Sequence, residues 1–88
     1  MNQVLTIKKP GQKVYIWDES GDMYKAVFVA DNRKVTKFGE LNPYGIQCRT
    51  THYEDRDKNE WVRCRRVFKL LQEKEVLTKK EILIKLNQ

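Results

Sequence analysis

Strict alternation early in the chain narrows the folds open to it. Lys13-Val14-Tyr15-Ile16-Trp17-Asp18 puts Val14 and Ile16 on one side of an extended backbone and Tyr15 and Trp17 on the other, a period of two that a helix cannot use. The residue types agree, because β-branched and aromatic side chains suit a pleated surface. Asp18 to Asp22 then reads as a hairpin-type loop in which Gly21 can take the positive φ that a chain reversal demands. Met23 to Ala30 returns as a second strand. Tyr24, Ala26, Phe28 and Ala30 share one of its faces and Val27 and Val29 the other, so apolar groups on both sides place it in the middle of a sheet.

The remaining signals extend the same pattern. Val4 to Ile7 suits a short strand, ended by Lys8-Lys9-Pro10-Gly11. Lys34 to Phe38 suits a short edge strand whose lysines discourage pairing with a neighbouring chain. Gly39 to Gly45, with Asn42-Pro43 inside it, is a loop. Ile46 to Tyr53 alternates again, with Ile46, Cys48, Thr50 and His52 opposite Gln47, Arg49, Thr51 and Tyr53. Near the C-terminus, Thr78-Lys79-Lys80-Glu81 has the spacing of a capping box, and Leu77 and Ile82 stand where a hydrophobic staple puts them. This predicts a helix from Lys79 to about Leu86 with Ile82, Leu83 and Leu86 as its buried stripe. So short a helix must dock on something, because isolated helices under about 12 residues do not offset their nucleation cost.

Between these parts lies a segment with two readings. Asp57-Lys58-Asn59-Glu60 can cap a helix, after which Trp61, Cys64, Phe68 and Leu71, with Val67 beside them, follow three-four spacing and leave Arg63, Arg65, Arg66 and Lys69 largely off that face. The same residues can instead close a small barrel. His52-Tyr53, a charged turn, Glu60-Trp61-Val62 and Arg66-Val67, together with Gly11-Gln12-Lys13-Val14-Tyr15 and Tyr24-Lys25-Ala26-Val27, resemble a chromo-barrel or Tudor-knot domain over about Pro10 to Leu70. That resemblance implies an SH3-like barrel, a packing role for Trp61, and an aromatic pocket for methyl-lysine at the positions of Tyr24 and Tyr53. The turn Glu54 to Asn59 lacks the aromatics of that family, and Gly39 to Gly45 is an insertion relative to it. The expected fold is α+β: a small SH3-like or Tudor-like antiparallel sheet or partly open barrel, followed by a helical C-terminus beginning between Asp57 and Val67. Residues 1–88 then form a single domain with a β-rich half, 1–56, and a mainly helical part, 57–88.

Charge narrows the function. With 88 residues there is room for one core, and 18 Lys and Arg against 12 Asp and Glu leave a net charge of +6, which favours an anionic partner. Arg49, Arg63, Arg65, Arg66 and Lys69 are the candidate contacts to nucleic acid, since the arginine fork matches phosphate geometry. Trp17, Tyr24 and Tyr53 are the candidate aromatic pocket. Cys48 and Cys64 lack zinc spacing and His52 is the only histidine, so no metal and no cofactor is expected. No nucleophile, base and orienting group fall into a catalytic pattern, and a non-enzymatic binding module follows. The absence of a secretion signal and of any apolar run of about 18 residues, together with free thiols, points to an intracellular protein without a membrane segment. The alternative is a protein-interaction module, either a methyl-lysine reader or a small phage-type inhibitor or adaptor that covers an acidic site on a larger protein.

Overall fold

A computed structural model describes residues 8–87, and within them the chain forms six strands and one helix in a small α+β arrangement. Strand β1 is Lys13–Trp17, β2 Met23–Asp31, β3 Ile46–Asp55, β4 Glu60–Arg63, β5 Val67–Leu71 and β6 Val76–Leu77. Helix α1 is Lys79–Leu86, and a single 3₁₀ turn, Glu73–Glu75, separates β5 from β6. All pairings are antiparallel, in the order β4-β3-β2-β1-β6, with β5 paired to β3 as well. The sheet is open, since the strands at its two ends do not pair. The predicted strand over Val4 to Ile7 lies outside the described residues.

The alternation of β1 and β2 sets the core. Lys13 pairs with Val27 and Trp17 with Met23, a register that stacks Val14 and Ile16 against Ala26 and Tyr24 on one face. Ile46, Cys48 and Thr50 of β3 join that face, and Phe28, Leu71 and Val76 complete it. Burial in this cluster raises the Cys48 thiol to a pKa of about 11, so it packs as a small apolar group. The opposite face of β2 is only half covered: Val27 and Val29 are partly buried.

The helical reading of Asp57 to Glu75 is overturned, and the mainly helical part of the chain shrinks to α1. Asp55 accepts N–H bonds from Asp57 and Lys58 at 3.1 and 3.3 Å, and Asn59 takes a φ of 53°, so the charged run is a tight turn that feeds β4 back along β3. The three-four spacing of Trp61, Cys64, Phe68 and Leu71 has a different origin. Residues 64–66 interrupt the strand between β4 and β5, and a register shift within β5 pairs Phe68 with Cys48 but Leu71 with Ile46. Each irregularity adds residues to a period of two and imitates the period of a helix.

Two other expectations change. Residues Lys34 to Phe38 form no strand; Val35 makes one isolated bridge to Leu41 in a small hairpin excursion, because no neighbouring strand reaches it. In α1 the capping box forms as predicted, with Glu81 N donating to Thr78 Oγ1 at 3.2 Å and Thr78 N to Glu81 Oε1 at 2.8 Å. Only Ile82 of its stripe is buried, however; Leu83 and Leu86 are about half exposed, since an eight-residue helix resting on β1 and β6 covers little more than its first turn.

Candidate nucleic-acid interface

Thr50 and Thr51 mark a bend in the sheet. On one edge of β3 the register slips, so that Lys25 faces His52 while Ala26 faces Thr50, leaving Thr51 as the extra residue. On the other edge Cys64-Arg65-Arg66 bows away from the ladder and is tied back only at its ends, by Cys64 N to Thr51 O at 2.9 Å and Thr50 N to Arg66 O at 2.8 Å. The buried Thr50 side chain holds the bow in place: its hydroxyl accepts from Arg66 N at 2.9 Å and lies 3.2 Å from Cys64 Sγ. Replacing Thr50 by valine keeps the shape but strands the Arg66 N–H. The expected loss is about 1–3 kcal/mol of folding stability, read as a lower urea midpoint at unchanged slope.

This bend gathers most of the candidate phosphate contacts. Arg49, Arg63, Arg65 and Arg66 line one open groove of about 510 Å3, with His52 and Cys64 in its wall. Lys69 does not line it, although it is exposed on the adjoining strand β5. Among the described residues none of these five cations pairs with a carboxylate. Arg66 is held from within instead: its guanidinium lies 4.4 Å from the Phe68 ring centroid and donates to Tyr24 Oη at 3.2 Å. Arg33, by contrast, is spent on structure, clamped to Asp31 at 2.6 Å and Glu73 at 3.2 Å, and it holds the Asp31 carboxyl below its ordinary pKa.

His52 and Cys64 meet the same groove without meeting each other. The imidazole Nδ1 lies 3.0 Å from Thr51 Oγ1 and the thiol is engaged by Thr50, so no hydrogen bond joins the histidine to a thiol among the described residues. No cluster of three or more potential metal ligands occurs among them either.

The aromatic pocket expected from Trp17, Tyr24 and Tyr53 divides. Tyr24 and Tyr53 are paired across β2 and β3 and border a concavity of about 390 Å3 whose other walls include Asp22, Asp55 and Asp57. Tyr24 is only 9% exposed and meets Phe68 edge-on at 5.1 Å, and burial raises its hydroxyl pKa against the opposing pull of Arg66. Of these two, only Tyr53 is exposed. Trp17 lies on the other face of the sheet, because it follows Ile16 on an alternating strand, and Lys85 of α1 sits 4.6 Å over its ring. Tyr15 leans on Trp61 at 6.3 Å and Lys25 covers that indole at 4.6 Å. The two outer indoles, Trp17 and Trp61, already hold cations of the chain itself.

Comparisons of the chain with protein-family models, with curated proteins and with solved structures give no match. The functional reading therefore rests on the site alone. Outside that groove, one exposed ring had no signature in sequence: Phe38, placed by alternation in an edge strand, stands in the open at 79% exposure. None of the described helices is long and apolar enough to cross a membrane.

Proposed function

We propose that the protein is a non-catalytic binding module that grips the sugar-phosphate backbone of nucleic acid in the arginine groove. The observation that carries this reading is the convergence of Arg49, Arg63, Arg65 and Arg66 on one groove without a carboxylate partner among the described residues. An arginine engaged by a protein carboxylate has little to gain from a phosphate, whereas these are available and Arg66 is pre-oriented by two rings. Phosphate contact displaces counterions, so affinity is expected to fall steeply and log-linearly with salt.

An SH3-like identity for the sheet is part of the same proposal. It is supported by the 3₁₀ turn ahead of β6 and by the return of β6 to pair with β1. The reader alternative is less favoured, since Tyr24 is withdrawn into the core and a single ring gives weak cation–π recognition. The inhibitor or adaptor alternative draws on the same basic groove with an acidic protein surface as its partner.

The test is a salt titration of binding to oligonucleotides of mixed sequence. Arg63→Ala with Arg65→Ala should weaken binding uniformly across sequences and make the slope of log K against log salt shallower by about 1.4, from roughly 0.7 per phosphate contact on a single strand. Acidic peptides serve as the competing ligand. Binding that ignores salt, or that acidic peptides capture while oligonucleotides do not, defeats the reading.

A further inference from the structure

The excursion between β2 and β3 is a built finger. Thr36 organises it: Thr36 N donates to Glu40 O at 2.7 Å, Gly39 N returns to Thr36 O at 2.9 Å, and the Thr36 hydroxyl accepts from Phe38 N and Glu40 N at 3.3 and 3.2 Å. Asn42 N closes the hairpin on Lys34 O at 2.8 Å, and Gly39 supplies the left-handed residue at the tip with a φ of 82°. At the base, Arg33 bridges Asp31 and Glu73, and Asn32 Nδ2 donates to Gln47 Oε1 at 3.2 Å.

What this finger presents is an aromatic ring in water. Phe38 is 79% exposed, and Val35, Leu41 and Tyr44 are exposed beside it. A local set of hydrogen bonds that holds several apolar side chains away from the core is the mark of a contact surface. The Nζ of Lys37 lies 5.2 Å from the Phe38 centroid, and no other ring or cation among the described residues covers that ring. Lys34 stands at the start of the same hairpin. Continuity with the arginine groove comes through β3: Gln47, which anchors the finger, and Arg49, which lines the groove, are alternate residues on the strand face away from buried Cys48.

We propose that Phe38 is a base-stacking contact: while the arginine groove holds the backbone of a single-stranded nucleic acid, Phe38 stacks on one of its bases and Lys34 and Lys37 take the adjoining phosphates. The inference rests on the nucleic-acid reading above and adds the form of the ligand, since a ring face is offered only to a base that is free of its duplex partner. An exposed phenylalanine among lysines also suits an anionic membrane. The arginine groove on β3, the strand to which the base of the finger is bonded, favours nucleic acid.

The experiment measures binding of a single-stranded DNA of about 16 nucleotides carrying 2-aminopurine, by anisotropy and by the fluorescence of that base. Phe38→Ala should weaken binding by roughly 5- to 100-fold and abolish the fluorescence change, with the salt slope unaltered because no charge is removed. Phe38→Leu should fail like alanine and Phe38→Trp should retain binding, which separates stacking from apolar contact in general. Arg63→Ala with Arg65→Ala should do the reverse, flattening the salt slope while the bound complex keeps its fluorescence change. If Phe38→Ala or Phe38→Leu binds as wild type does, the stacking proposal falls and the groove reading survives. If wild type shows no salt-sensitive binding to any oligonucleotide, both fall. Phe38-dependent binding to phosphatidylserine vesicles, without binding to the oligonucleotide, overturns the proposal in favour of a membrane.

Discussion

Replacing Ile16 by alanine should lower folding stability by about 2–5 kcal/mol and, in a chain this small, leave a substantial unfolded fraction at room temperature. Ile16 is the largest of the side chains with essentially no exposure, and its strand is paired on both edges, to Tyr24 on β2 and to Val76 on β6. Truncation removes apolar contact and leaves a cavity under the inner face of the sheet, where ladders on both edges hold the β1 backbone in place, so collapse can recover little of the loss. Urea denaturation followed by far-ultraviolet circular dichroism checks it. The neighbouring Tyr15→Ala is the control, since that ring is half-buried on the outer face. A loss at Ile16 no larger than that at Tyr15 would mean that the core does not lie on the face that Ile16 occupies.

The second large effect is expected at Gly45, where the finger rejoins the sheet. Its φ is 139°, a region that side-chain-bearing residues rarely enter, and a Cβ built there would stand 3.0 Å from both the Cα and the N of Arg33 and 3.1 Å from the carbonyl carbon of Asn32. All three obstacles are backbone atoms, pinned by the Asn32 N to Gly45 O bond at 2.9 Å and by the Arg33 clamp, so no flexible side chain can give way. Gly45→Ala should therefore cost about 2–4 kcal/mol from strain and overlap together. Gly39→Ala makes the comparison: its φ of 82° is also unfavourable, but nothing lies within 4 Å of the added carbon, so a smaller loss is expected. Equal losses at the two glycines would assign the effect to φ alone and remove the close approach from the account.

The strands that local pattern could reveal were legible. Val14 and Ile16 against Tyr15 and Trp17, and Tyr24, Ala26 and Phe28 on one face of β2, predict their elements because period two needs no knowledge of the partner. The α1 cap was legible for a similar reason, since Thr78 and Glu81 satisfy each other across three residues. Residues 57–71 misled because a break between β4 and β5 and a register shift within β5 gave apolar groups at helical spacing, and the placement of both depends on β3, which is distant in sequence. Trp17 does not share a concavity with Tyr24 and Tyr53, because its strand turns it to the other face, where it lines a separate one with Tyr15 and Trp61.

Composition and spacing alone pointed to strands β1, β2 and β3, a capped C-terminal helix, a basic surplus and a run of arginines, because each of these is a property of neighbours along the chain. Whether Arg49 meets Arg63, Arg65 and Arg66 in one groove, whether carboxylates neutralise them, and whether Phe38 is core or surface were decided only when the chain folded. The reason is that the bend at Thr50 and Thr51 joins segments more than ten residues apart, and the free energy that chooses it comes from register and burial, which no local window contains.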